Sequence, residues 1–211
     1  MQLVAQLPTG MEGLHQAGIL HRDISSKNVM VDSHEPVWVI LNDFDLAGRV
    51  EAEVATAQHR TGTLPFMAIE LLEEAGAMHR LRHDLESLFY VAVWWAVTGT
   101  HTSQADRDRA SSPSNSLASW NHGTPGEIGQ IKFNLLRRPW ETTGIRLSPE
   151  FRGIIRILLK LRKLFADADC SRTNHMRCLE DLALGIEVEF PEHAETAGDV
   201  SPEKFRMALT S

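Results

Sequence analysis

Residues 81–97 of this sequence predict a helix that is apolar on nearly every side. They read LRHDLESLFYVAVWWAV, and no charged residue follows Glu86 within the run. A helix of this kind is buried on every side, so it differs from a surface helix. Asp84 stands near its start, where an aspartate is a good N-cap and interacts favourably with the helix dipole. The chain of 211 residues is long enough for one sizeable core, and we expect one domain.

Composition and charge limit the classes of function. The net charge of −7 is spread over both signs, which argues against a dedicated nucleic-acid binder. The only cysteines, Cys170 and Cys178, imply no disulfide framework and favour a reducing setting, cytoplasmic or nuclear. The N-terminus lacks signal-peptide features, and the longest apolar stretch, residues 88–97, is about half of what a membrane span needs. We therefore expect an intracellular protein without nucleic-acid or membrane partners.

A second stretch, residues 19–46, predicts a β-hairpin with polar residues at one end. Residues 29–31 (VMV) and 37–41 (VWVIL) are β-branched or aromatic, and the DSHEP between them has turn chemistry. In an antiparallel pair, the residue before the first strand lies beside the residue after the second. Asn28 should therefore lie beside the end formed by Asn42 and Asp43.

Three polar residues would then face one space. Asp23 lies five residues before Asn28, in the same loop, and Asp43 comes with Asn42 just after the second strand. Two carboxylates and one carboxamide oxygen form a set of hard ligands that suits Mg²⁺ holding phosphate groups. The predicted geometry indicates phosphoryl transfer.

These motifs resemble those of protein kinases. HRDISSKN at residues 21–28 is similar to the catalytic loop, and DFD at residues 43–45 to the metal-binding triplet, with aspartate replacing the usual glycine. GTLPFMAIE at residues 62–70 is similar to the end of an activation segment, with isoleucine replacing the usual proline. The resemblance covers roughly residues 11–184 and is strongest to the fungal-type protein kinase family.

The resemblance implies a role for each residue of the loop. Asp23 would be the base that accepts the proton of the substrate hydroxyl, and Asn28 and Asp43 would bind Mg²⁺ with its ATP. Arg22 would pair with a phosphorylated activation segment. Lys27 could neutralise charge on the transferred phosphoryl group, although it could equally be a solvated surface lysine.

The markers of substrate specificity disagree. Ser25 occupies the position where serine/threonine kinases usually carry lysine, and Lys27 lies where tyrosine kinases often place arginine. Thr63 occupies the threonine position of a serine/threonine-type activation segment, in which Thr61 also lies. We favour a protein serine or threonine as the substrate.

Two further roles are structural. The resemblance implies that Glu70 forms an ion pair with an arginine far along the chain, and Arg172 is the candidate. It also implies that Asp84 hydrogen-bonds the backbone of the catalytic loop, which is compatible with its role as a helix cap.

The resemblance predicts an α+β, mostly helical fold: the large C-terminal lobe of a protein kinase, with a short hairpin at the active site. We expect residues 1–190 to form this lobe and residues 191–211 to be a loosely held tail. The 211 residues contain no glycine-rich phosphate loop and no strand lysine, so we expect the small N-terminal lobe to be absent. Without that lobe, an apolar surface near the hairpin should be exposed unless a partner or the missing lobe covers it. These residues alone should also have little activity.

Other elements follow from periodicity and from breakers. Residues 11–18 predict the last turns of a helix, closed by Gly18 and interrupted upstream at residues 8–10. Residues 99–127 predict a long surface connection. Ser148 predicts the N-cap of a helix that includes Phe165, and residues 176–184 predict a separate, shorter helix.

Two other functions stay open. One is a non-catalytic kinase-like module, although such a module has no physical need of Asp23, Asn28 and Asp43 together. The other is a small-molecule phosphotransferase of the aminoglycoside or choline type, whose loop is similar but which lacks a comparable activation segment. A segment 48–70 that does not fold back over the substrate face would favour the small-molecule phosphotransferase over the protein kinase.

Overall fold

The computed structural model describes residues 2–32, 34, 38–50, 62–74, 76–99, 117–190 and 198–210. Within them the strands are β1 (Ile19–Leu20), β2 (Val29–Asp32), β3 (Trp38–Leu41) and β4 (Gly48–Arg49). The helices are α1 (Gln2–Gln16), α2 (Ile69–Glu73), α3 (Leu81–Thr98), α4 (Ser119–His122), α5 (Pro125–Arg137), α6 (Ile155–Ala183) and α7 (Pro202–Thr210). Short 3₁₀ helices cover Leu64–Phe66, Trp140–Thr142 and Pro149–Ile154. The described chain is mostly helical with two small sheets, as the predicted α+β class requires.

Helix α1 runs through a proline. The predicted interruption at residues 8–10 is wrong, because Pro8 lies inside one continuous helix. A proline in a helix interior costs about 3 kcal/mol. Leu7 and Met11, one turn apart and both buried, offset that cost by packing into the core. The helix ends near Gly18, as predicted, where φ is +76° and the N–H donates to the carbonyl of His15.

Two antiparallel sheets border the polar residues. β2 and β3 pair as the predicted hairpin, although residues 33 and 35–37 of the predicted turn and strand lie outside the described residues. β1 pairs with β4, so that Ile19 lies opposite Arg49. The sequence did not reveal this second pairing, which returns the segment after Asp43 to the start of the loop that contains Asp23.

Helix α3 lies at the centre of the core, as predicted. Its residues from Arg82 to Val93 are buried. The ring of Phe89 lies 5.6 Å from that of Phe165 in α6, and Phe165 lies 6.1 Å from Phe205 in α7, measured between centroids. Such aromatic contacts stabilise beyond the area that they bury. Three helices therefore share one aromatic core.

The predicted surface connection over residues 99–127 is wrong at its described end; residues 100–116 lie outside the described residues. Leu117 and Trp120 are fully buried, and the ring of Trp120 meets that of Tyr90 edge-on at 5.5 Å. This end of the connection belongs to the core because its apolar side chains cover α3.

Helix α6 replaces two predicted helices. The 3₁₀ turn after Ser148 leads into a helix of 29 residues, so residues 176–184 do not form a helix of their own. Neither glycine nor proline occurs between Ile155 and Leu184, so nothing interrupts the hydrogen-bond ladder. Despite this length, none of the helices in the described ranges has both the extent and the hydrophobicity of a membrane span.

The predicted loose tail is also wrong for residues 198–210. Phe205 and Leu209 of α7 lie one turn apart and are buried, together with Val200. Nη1 of Arg206 donates to Oε2 of Glu12 in α1 at 2.6 Å. The apolar face of α7 therefore docks the end of the described chain onto its first helix.

Candidate active site

Two residues near the hairpin have a left-handed backbone. The φ angles are 67° at Arg22 and 62° at Asp43, and no other described residue except glycine has a positive φ. Such a conformation costs about 1–3 kcal/mol and persists only where the surroundings impose it. Strained residues of this kind cluster at functional sites. The backbone therefore independently marks the two segments that carry the polar motifs.

Asp84 of α3 fixes the loop that contains Arg22. Its buried carboxylate accepts hydrogen bonds from the backbone N–H of His21 at Oδ2 (3.0 Å) and of Arg22 at Oδ1 (3.1 Å). Nε2 of His79 also donates to Oδ1, at 2.8 Å. The contact with the loop backbone is the one that the resemblance implies. The N-cap prediction is wrong because the helix begins earlier, directly after Arg80.

His21 links this loop to the segment after β3. Its Nε2 donates to the carbonyl of Asn42 at 3.1 Å, and its Nδ1 accepts the N–H of Asp23 at 3.4 Å. A neutral ring with its proton on Nε2 satisfies both contacts. The ring centroid also lies 4.8 Å from that of Phe44. His21 thereby ties the base candidate to the metal triplet.

Asn28 orients the carboxylate of Asp23. Its Nδ2 donates to Oδ2 of Asp23 at 2.9 Å and to the carbonyl of Asp23 at 3.0 Å. The backbone N–H of Asn42 donates to the carbonyl of Asn28 at 2.8 Å, so the two ends of the hairpin meet as predicted. Because Asp23 takes both amide hydrogens, the amide oxygen of Asn28 is left for another ligand.

The oxygens of Asn28 and Asp43 fit Mg²⁺. Mg²⁺ prefers hard oxygen ligands and is usually held by one or two carboxylates together with phosphates and waters. Oδ1 of Asp43 accepts the N–H of Asp45 at 3.4 Å, and no contact joins its carboxylate to Asp23 in the described structure. Among the described residues no group of three or more His, Cys, Asp and Glu could hold a metal. A bound Mg²⁺ would therefore depend on one amide, one carboxylate and the phosphates of the nucleotide.

The segment after residue 61 folds back onto Asp23. The N–H and the hydroxyl of Thr63 both donate to Oδ1 of Asp23, at 2.8 and 2.7 Å. Gly62 permits this approach, since its φ is +115° and a Cβ there would lie 3.0 Å from the carbonyl oxygen of Arg22. Thr61 lies outside the described residues, and its role stays a prediction.

The two predicted cations of the loop point to different surroundings. The guanidinium of Arg22 lies against β4, where Nη2 donates to the carbonyl of Arg49 at 3.2 Å. Its Nε is buried and has no hydrogen-bond partner among the described residues. Lys27 is exposed on the turn before Asn28. The pairing of Arg22 with a phosphate and the catalytic role of Lys27 both stay predictions.

Glu70 does not pair with Arg172. Its carboxylate forms an ion pair with Arg82 and accepts Nε2 of His83 at 2.7 Å, both in the first turn of α3. Arg172 instead donates to Glu74 at 2.8 Å. The prediction is wrong because Glu73 and Glu74, three and four residues after Glu70, are the carboxylates of this segment that pair with Arg172 of α6.

His83 is held neutral by its surroundings. Burial holds the pKa of its ring well below the ordinary value, and the positive charge of Arg82 acts in the same direction. Asp84 acts in the opposite direction. Nδ1 accepts the N–H of Arg80 at 3.0 Å while Nε2 donates to Glu70, so the neutral ring has both partners.

This histidine predicts a pH dependence of stability. Above pH 6.5 the ring is neutral in both states, whereas below it only the unfolded chain gains the proton, so the free energy of unfolding falls. Between pH 6.5 and 5.5 we expect His83 to account for a fall of about 1 kcal/mol. Glutamine in place of His83 can still accept one hydrogen bond and donate another, but it does not titrate. In urea unfolding, the free energy of unfolding of His83→Gln should therefore fall by about 1 kcal/mol less than that of the unmodified chain between pH 6.5 and 5.5. Equal falls in the two proteins would contradict the prediction.

Two buried charged residues close to the site were missed in the sequence. Glu86 is the last charge before the apolar half of α3, and Lys132 stands between Ile131 and Phe133 in α5. The available signal was a single charge inside an apolar run, since such a charge has to find a buried partner.

Comparisons with known proteins agree with these motifs. Residues 7–96 match the model of a family described as fungal protein kinase. Serine/threonine-protein kinase STY17 of Arabidopsis thaliana is 35% identical over 99 residues, which is 47% of this chain and 16% of that protein. Serine/threonine-protein kinase grp of Drosophila melanogaster is 31% identical over 160 residues, 69% of this chain and 28% of that protein. The chain therefore spans less than a third of the length of these relatives.

Proposed function

Because residues 7–96 belong to the fungal protein kinase family, we propose that this chain carries the catalytic residues of a protein kinase that phosphorylates serine or threonine. The γ-phosphoryl group of ATP would pass to a hydroxyl of a protein substrate. One observation carries the proposal: the carboxylate of Asp23 is oriented by Asn28 at one oxygen and by Thr63 at the other. The similarity to serine/threonine kinases of plants and flies supports the same class of enzyme.

Each polar residue of the site has a role in this proposal. Asp23 accepts the proton of the substrate hydroxyl, and Asn28 holds the carboxylate of Asp23 in place. Asn28 and Asp43 would bind Mg²⁺, which when present with ATP neutralises charge on the phosphates. Lys27, exposed beside this loop, would approach the transferred phosphoryl group, and Arg22 would bind a phosphorylated activation segment.

The fold-back of Thr63 favours a protein substrate over a small molecule. The segment that contains Thr63 lies against Asp23, the base candidate. An activation segment in this position would shape the surface that a peptide substrate approaches. The proposed substrate is therefore a protein hydroxyl presented beside Thr63 and Asp23.

The exposed face of the hairpin predicts a covering partner. Met30 and Ile40 lie opposite each other in the hairpin, and both are exposed, as is Trp38. Exposed apolar groups gathered on one face indicate an interaction surface. We propose that further polypeptide covers this face and supplies the phosphate loop and lysine that these 211 residues lack. Without those groups to position ATP, the 211 residues alone should transfer little phosphate.

Binding of Mg²⁺-ATP tests the proposal. A ligand present at 100 times its Kd stabilises the folded state by about 2.7 kcal/mol, so the melting temperature of the unmodified chain should rise. Asp43→Asn removes the charge that would hold the metal and should abolish the rise, whereas Asp167→Asn, on the exposed surface of α6, should keep it. A chain that shows no rise with Mg²⁺-ATP would support a non-catalytic binding module instead.

A further inference from the structure

A charged side chain lies fully inside the core. Lys132 of α5 is 0% exposed, and burial holds the pKa of its ammonium well below the ordinary value. Its Nζ lies 4.1 Å from the centre of the Tyr90 ring. It donates to the carbonyl of Met67 at 2.5 Å and to that of Leu64 at 3.4 Å. The ammonium therefore bridges the two ends of the short turn that follows Thr63.

Glu86 of α3 holds the next part of the same segment. Its Oε1 accepts the backbone N–H of Ile69 at 3.0 Å and the hydroxyl of Tyr90 at 2.8 Å. Burial raises the pKa of this carboxyl, while the hydrogen bonds from Ile69 and Tyr90 act against that rise. Glu86 from α3 and Lys132 from α5 therefore both bind the backbone of residues 64–69.

Thr63 immediately precedes this bound segment and donates twice to Asp23. We infer that Lys132 and Glu86 are positioning residues, which fix residues 64–69 so that Thr63 stays on the carboxylate of Asp23. The inference rests on the proposed kinase function and identifies how the surface beside the base keeps one shape.

The charges are not needed to fill space. Apolar residues of similar volume would occupy the same core without the cost of taking ions out of water. The polar atoms of Lys132 and Glu86 are used on two carbonyls and one N–H of residues 64–69, which an apolar side chain could not hold. Their arrangement therefore determines the position of that segment.

Amide hydrogen exchange tests this directly. Lys132→Met keeps much of the side-chain volume but loses the ammonium, so exchange across residues 62–70 should rise about tenfold, the effect of losing one hydrogen bond to a charged group. Exchange across residues 28–42, which include the hairpin, should not change. Lys163→Met, an exposed lysine of α6, is the control and should alter neither region. Unchanged exchange at residues 62–70 in Lys132→Met would overturn the inference.

A measurement on the unmodified chain covers the case in which Lys132→Met fails to fold. Acetic anhydride should modify Lys163 rapidly in the native state and Lys132 only after unfolding, because Lys132 is buried and hydrogen-bonded. Equal rates of acetylation at the two lysines would show that the buried contacts with residues 64–69 do not exist, and would also overturn the inference.

Kinetics separates this inference from the proposed function. In a protein that joins this chain to the covering polypeptide, Lys132→Met should lower kcat. The KM for ATP should stay the same, because Asn28 and Asp43 are unchanged. If this chain together with the covering polypeptide transfers no phosphate, the proposed function is contradicted, and the exchange experiment would still decide the role of Lys132. An active protein in which Lys132→Met changes neither kcat nor exchange would overturn the positioning role alone.

Discussion

Replacing Asp84 by alanine is expected to lower the free energy of unfolding by about 3 kcal/mol or more. The change leaves the N–H groups of His21 and Arg22 without their acceptor in the buried start of the loop. It also removes the acceptor of His79. Each unsatisfied buried donor costs about 1–3 kcal/mol, so the effects add up to an exceptional value for a single substitution. Urea unfolding at pH 7 measures it.

A matched exposed aspartate gives the control. Asp167 pairs with Lys163 one turn before it on α6, at 2.6 Å, and both side chains are mostly exposed. An exposed pair of this kind contributes about 0.3–0.5 kcal/mol, so Asp167→Ala should have little effect. A similar loss of stability in both variants would mean that Asp84 does not anchor the loop.

Replacing Asp23 by asparagine should lower the rate of phosphoryl transfer by about 10²–10⁴-fold, measured in a protein that joins this chain to the covering polypeptide. The amide keeps the shape of the carboxylate but cannot take the proton of the substrate hydroxyl. Initial rates of peptide phosphorylation measure the effect, and urea unfolding checks that the variant is folded. Asp32→Asn, at the far end of β2, is the control and should keep the rate. A rate within tenfold of the unmodified protein would exclude Asp23 as the base.

Local sequence chemistry predicted the contact between the two ends of the hairpin but not the contacts between distant elements. The strands that flank the turn fix their register, so the meeting of Asn28 and Asn42 followed from the pattern of residues alone. The contact between Thr63 and Asp23 spans 40 residues, and the contact between Lys132 and Met67 spans 65. Contacts of that range depend on how helices pack, which a local pattern does not encode.

The errors in the predicted helices have two physical causes. Pro8 lowers helix propensity locally, but burial of neighbouring side chains outweighs it, and only the tertiary structure shows that burial. The apolar pair Phe205 and Leu209 was visible in the sequence, yet its short helix gains stability only from its docking partner. In contrast, the uninterrupted length of α6 could have been predicted, since no glycine or proline divides it.

The contact between α1 and α7 affects how the protein is made. Glu12 and Arg206 are 194 residues apart, so the helix that leads into the loop of Asp23 cannot complete its packing until α7 has left the ribosome. During translation the part of α1 that α7 covers remains exposed until then, and the nascent chain should need chaperones over that interval. Helix α1 is therefore translated long before the contact that completes its packing can form.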